Sequence, residues 1–239
     1  DLIFDGVDTT EEMIIDILEK NNLKSCAIYP ASSNISIDCE REKHREVSDF
    51  FYKYPDKIFG ICQVNPNYDK ETYYNEIKRY KDQGFKGISV NPQIYGWDPM
   101  SSKGDLVFET ARKLNLPIFV YVGVGLPLGM PIRLLPLCKK YSDLKIVLVH
   151  TGKSIYAGQC AVLGDICDNV YFETSLGLNI RAIKSYCKKY GANRLIMGSA
   201  VISEVEHSIY SYTHADLEEE EIYWCTEGTI QTVLGIKEG

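Results

Sequence analysis

The stretch KIVLVHTGK, residues 145–153, ends an apolar run on His150 and follows it three residues later with Lys153. An imidazole at the end of a buried strand can take or give a proton near neutral pH, and a lysine beside it could hold a substrate carboxylate. The plainer alternatives are a histidine satisfied by a backbone carbonyl and a solvated lysine. Glu173, near the end of VYFET, supplies a carboxylate for acid or base work. Side chains alternate along a strand, so Glu173 and Phe172 point to opposite faces, and the sequence does not decide which faces inward. Tyr121 closes PIFVY, Asn91 follows KGISV, and Ser199 follows RLIMG, each with a hydrogen-bonding group at a strand end. The loop NPQIYGWDPMSSKGD carries Tyr95 and Trp97, flat apolar area with a polar handle that suits either a ligand-covering lid or a loop packed on its own scaffold. The candidate catalytic set is therefore His150, Tyr121 and Glu173, and the candidate substrate-binding set is Asn91, Tyr95, Trp97, Lys153 and Ser199. His207 and His214 share one face of a late helix as surface or packing residues, and His44, in an early polar helix, carries no signal.

Positioning these groups at one place requires a repeated element. Thr9 and Glu12 stand at capping-box spacing before an apolar helical face, which predicts a helix from about residue 10 to 21. Strand-like runs follow at 24–30, 57–64, 86–90, 117–121, 145–150, 170–174 and 194–198. They alternate with helical segments near 39–54, 69–83, 104–114, 131–141, 155–167 and 179–190, and helices fill the remainder. Seven strand-helix units without a break in composition predict an α/β fold, a (β/α)8 TIM barrel forming a single domain over 1–239, with a doubly wound sheet as the alternative. The eighth strand is either residues 1–4 or a segment before Asp1. Because the chain opens on Asp rather than Met, some N-terminal sequence is expected to have been removed or not recorded.

At 239 residues and 45% apolar, the chain can bury a large core, and its net charge of −7 argues against nucleic-acid or anionic membrane partners. No apolar run reaches the roughly 18 residues of a membrane span and no signal peptide is visible, so the expectation is a cytoplasmic protein acting on a small molecule, with a homodimer left open. The eight cysteines include no Cys-x-x-Cys pair and are expected to be reduced thiols packing as small hydrophobes.

Read in order, GFKGISVNPQIYGWDP, ARKLNLPIFVYVGVG, LKIVLVHTGK, NVYFETS and NRLIMGSA resemble the amidohydrolase-related family of barrel proteins, whose members include aminocarboxymuconate-semialdehyde decarboxylase and related hydrolases and decarboxylases. The resemblance implies a divalent ion held by a His-x-His pair on the first strand, a His on the fifth, often a His on the sixth, and an Asp after Gly-Ser on the eighth. Carried onto this sequence, the Asp position is Ala200, the fifth-strand position is Tyr121, and His150 alone stays in place. If residues 3–10 form the first strand, its two positions are Val7 and Thr9. The expectation is accordingly a degenerate metal site with no cofactor: a metal-independent hydrolase or lyase acting on a small carboxylate- or carbonyl-bearing molecule. The alternatives are a non-catalytic small-molecule or protein-binding barrel, and a hydrolase using a divalent metal such as zinc with its His-x-His outside this sequence.

Overall fold

The computed structural model of the chain describes residues 9–30, 36–123, 127–151, 156–176 and 179–236. Seven strands, β1 (Cys26–Ile28), β2 (Ile58–Gln63), β3 (Gly87–Val90), β4 (Ile118–Tyr121), β5 (Ile146–Val149), β6 (Val170–Glu173) and β7 (Leu195–Ile196), form one sheet. Each pairs in parallel with the next in chain order. Helices α1 (Glu11–Lys20), α2 (Ile37–Lys53), α3 (Lys70–Asp82), α4 (Ser102–Lys113), α5 (Leu135–Lys140), α6 (Ala157–Ile166) and α7 (Ile180–Tyr190) alternate with the strands, and α8 (Val205–Thr213), α9 (Glu219–Tyr223) and α10 (Thr229–Leu234) follow them.

Two apolar faces explain why the strands read as unbroken hydrophobic runs. Ile58, Cys62, Ile88, Val120, Leu148, Phe172 and Leu195 pack with the helices in the outer core. Tyr29, Ile61, Phe119, Tyr121, Val147, Val149 and Ile196 form a separate inner cluster. That cluster joins residues of β1, β2, β4, β5 and β7, a set that only a sheet curled on itself brings together. Val233 and Leu234 of α10 join its lower end, and Lys145, just before β5, donates to the Thr232 carbonyl. The N-terminal end of the sheet is thus plugged, and the C-terminal end is the mouth.

The fold is the α/β barrel expected, with one strand fewer among the described residues. β1 and β7 are its edges and do not pair with each other. A cavity of about 130 Å³ runs along their seam, lined by Ile14 and Leu18 of α1, Ala27 and Tyr29, Ile196 and Ile230. Residues 1–4, one source expected for an eighth strand, and Val7 lie outside the described residues. Thr9 stands just before α1 rather than in a strand, and the cap of α1 is Thr10, whose hydroxyl accepts from the Met13 N–H at 3.3 Å. No helix among the described residues is long and apolar enough to cross a membrane. All eight cysteines are free, six of them buried.

Candidate functional site

Tyr29, Gln63, Asn91, Tyr121, His150, Glu173 and Gly198 come to the mouth as the residues at or just past the seven strand ends. At the first two strands the sheet splits: the β1–β2 pairing ends at Ile28 and Gly60, and farther along β2 the N–H of Gln63 donates to Nε2 of His44 on α2 at 2.9 Å. The other nitrogen, Nδ1, lies 2.5 Å from the Glu40 carbonyl and donates to it. His44 therefore extends the ladder where β1 has left it. Burial holds its pKa down to about 4, so it is neutral, with both nitrogens committed to backbone.

His150 follows β5 with φ of 63°, a left-handed conformation that costs a non-glycine residue roughly 1 kcal/mol or more. Its neighbours fix it there. The His150 backbone N–H donates to Glu173 Oε2 at 2.8 Å, and the Thr151 N–H donates to the Glu173 carbonyl at 2.8 Å. Glu173 thus faces the interior, settling the alternation that the sequence left open. Its Oε1 accepts from the Ser175 N–H at 2.7 Å and its Oε2 from the Ser175 hydroxyl at 2.8 Å. Ser175 Oγ lies 2.7 Å from Nδ1 of His150, while the direct distance from Nδ1 to Glu173 Oε2 is 3.8 Å. All three residues are at most 5% exposed. This is not a nucleophile-base-acid triad, because hydroxyl and carboxylate both lie on the Nδ1 side of the imidazole and Ser175 is sealed in.

Tyr121 meets His150 edge to face, with ring centroids 4.9 Å apart, and Tyr29 meets Tyr121 the same way at 5.8 Å. Burial, and then the charge of Glu173, push the Tyr121 phenol well above its ordinary pKa, so it remains a donor. Its hydroxyl is buried with no protein partner among the described residues. A buried donor in that condition is costly, which makes it a natural contact for a bound oxygen atom.

The structure brings together Tyr121, His150 and Glu173, with Ser199 beside Glu173 on the cavity wall. It does not bring the loop aromatics to them. Trp97 is 1% exposed and Tyr95 5% exposed, both in the outer core, where the Tyr95 hydroxyl takes a bond from Gln63 Nε2 at 3.2 Å. They pack the loop onto the sheet rather than covering the mouth. Asn91 spends its Oδ1 on the N–H groups of Gln93 and Ile94, shaping its own turn. Lys153 lies outside the described residues. Sequence reasoning missed Ser175, two residues after Glu173, and the buried pair Glu40 and His44, four apart on one helix face.

Among the described residues no group of three or more His, Cys, Asp or Glu side chains is placed to hold an ion. Glu173 already accepts three donors, and Ala200 is a buried methyl. A catalytic ion needs about three protein ligands, so the described residues by themselves do not fit one.

Solved structures share the fold. A 2,6-dihydroxybenzoate decarboxylase from Rhizobium superposes with a TM-score of 0.78 at 14% identity, covering 98% of this chain and 90% of that one. A dihydroxybenzoic acid decarboxylase from a Polaromonas species, with bound manganese and the inhibitor 2-nitroresorcinol, gives 0.77 at 15% identity over 97% of this chain and 87% of that one. A 5-carboxyvanillate decarboxylase from Novosphingobium aromaticivorans, also with manganese, gives 0.73 at 17% identity over 93% and 80%. These structures correct the expectation of a protein without cofactor: the Polaromonas and Novosphingobium enzymes that share the fold hold bound manganese. No curated protein sequence matches the chain. The amidohydrolase family does match, over residues 33–220 and hence more than half of the sequence, and the chain belongs to that family.

Proposed function

We propose that the chain is an amidohydrolase-family lyase that decarboxylates a small carboxylated aromatic acid, with His150 as its acid-base group. The observation that carries this reading is the pairing of Tyr121 and His150 at the mouth: a buried phenol with no partner among the described residues, beside an imidazole anchored by Ser175 and Glu173. Family membership and the decarboxylases that share the fold support the choice of reaction. In the step proposed, the bond between the ring carbon and the carboxylate breaks, carbon dioxide leaves, and the electron pair left on the ring carbon takes a proton from the His150 imidazolium. Tyr121 donates to a ring or carboxylate oxygen and orients the ring, and Tyr29 offers an aromatic edge to pack against it.

The test is release of carbon dioxide from 2,6-dihydroxybenzoate and 5-carboxyvanillate, each with and without added manganese. His150→Ala is expected to lower the rate by about 10²- to 10⁴-fold. Binding of these acids without turnover under either condition would overturn the lyase reading in favour of a non-catalytic binding barrel.

A further inference from the structure

We propose that Ser175 is a positioning residue. Its hydroxyl links Glu173 to Nδ1 of His150 and holds that imidazole as the Nδ1–H tautomer, making Nε2 the basic nitrogen. A serine hydroxyl has one proton to place. Glu173 Oε2 lies 2.8 Å from Ser175 Oγ, and the carboxylate also accepts the backbone N–H groups of His150 and Ser175 at 2.8 and 2.7 Å. With the carboxylate acting as acceptor, the serine proton must lie between Oγ and Oε2. Turning it toward His150 would set an oxygen lone pair against the carboxylate at hydrogen-bonding distance. The 2.7 Å approach of Oγ to Nδ1 then requires the proton of that contact to sit on nitrogen. Glu173 reaches the ring chiefly through the serine, since its own oxygen is 3.8 Å from Nδ1. Burial of all three residues to 5% exposure or less keeps water from offering Nδ1 another partner. The catalytic consequence rests on the acid-base reading of His150; the tautomer does not.

The test is a ¹⁵N spectrum of histidine-labelled protein at a pH above the ordinary histidine range, with the His150 signals assigned by their loss in His150→Gln. Wild type is expected to show Nδ1–H. Ser175→Ala should move the population toward Nε2–H, and Ser175→Thr, which keeps the hydroxyl, should hold it in place. With a carboxylated aromatic substrate, Ser175→Ala should lower kcat by about 10- to 100-fold with KM little changed, as for other groups that orient a functional histidine, and Ser175→Thr should restore it. An Nε2–H signal in wild type would overturn the proposal even if every variant failed to fold. A population unmoved in Ser175→Ala would do the same. Nδ1–H in wild type without turnover of any acid would sink the decarboxylase reading and leave the positioning role standing.

Discussion

Gly198 and the Glu173 carboxylate occupy the same space: a Cβ built on Gly198 would stand 1.8 Å from Glu173 Oε1 and 2.7 Å from its Cδ. The sequence Gly-Ser-Ala after β7 is therefore read through its first residue as much as its third. Only a residue without a side chain lets Glu173 lie flat across the end of β7, where it reaches the Ser175 N–H and hydroxyl and the backbone of His150. Gly198→Ala is expected to force the carboxylate out of this seat. Overpacking of this kind costs about 1–3 kcal/mol of stability, and catalysis should fall together with it because His150 loses its anchor. Thermal unfolding and turnover of the variant check the point. Wild-type turnover in Gly198→Ala would show that Glu173 has no bearing on the site.

Tyr121→Phe separates a binding role from a packing role. The hydroxyl is buried without a partner among the described residues, so removing it leaves none of their groups unsatisfied, and folding stability is expected to stay the same or rise by about 1 kcal/mol. Affinity for a carboxylated ring should fall by about tenfold, the equivalent of one lost hydrogen bond of about 1.4 kcal/mol. Denaturant titration and ligand titration on the same preparation give both numbers. A destabilised variant with unchanged affinity would assign the phenol to packing.

The barrel was legible because strands buried on both faces, such as Ile118–Tyr121 and Ile146–Val149, stand out as apolar blocks between amphipathic helices. Their ends shifted where tertiary partners intervened. β7 stops at Ile196 rather than running on to Gly198 because the Met197 N–H is taken by the Cys225 carbonyl, in a π-helical turn from Trp224 to Gly228. The helix expected over 131–141 begins as a 3₁₀ turn at Pro131–Leu134, and α5 starts at Leu135 with Pro136 in its first turn, where no N–H is needed. At the site, His150 and Glu173 were legible as polar residues ending apolar strands. Ser175 was not, since its role depends on the chain folding back so that its hydroxyl and N–H both return to Glu173. Tyr95 and Trp97 stayed ambiguous because aromatic residues in a long loop suit a ligand and a core equally well, and only packing decides.

Glu40 and His44 give a prediction that neither residue makes alone. They stand one turn apart on α2, each 1% exposed. Burial raises the Glu40 carboxyl from its ordinary 4.5 to about 7, with Glu76 adding to the rise, against the Asn65 N–H bond and the Tyr68 and Tyr95 hydroxyls. Burial lowers the His44 imidazole from 6.5 to about 4, with Arg79 assisting, against its bond to the Glu40 carbonyl and the charge of Glu76. Between about pH 4.5 and 6.5 the unfolded chain holds one proton on this pair, on His44, and the folded chain also holds one, on Glu40. The two linkages therefore cancel, and the pair gives the wild type almost no slope of stability with pH in that window. Glu40→Gln exposes the histidine alone. Its proton is bound only in the unfolded chain between about pH 4 and 6.5, so stability should rise with pH across that range, by up to about 3 kcal/mol relative to wild type at 1.36 kcal/mol per pKa unit. His44→Gln exposes the carboxyl, whose proton is bound only in the folded chain between about pH 4.5 and 7, so stability should fall by a similar amount as pH rises. Urea unfolding at half-unit steps of pH, read as each variant's difference from wild type, checks both signs. Differences that stay constant across the window in both variants would mean that neither group is held in its neutral form by the fold.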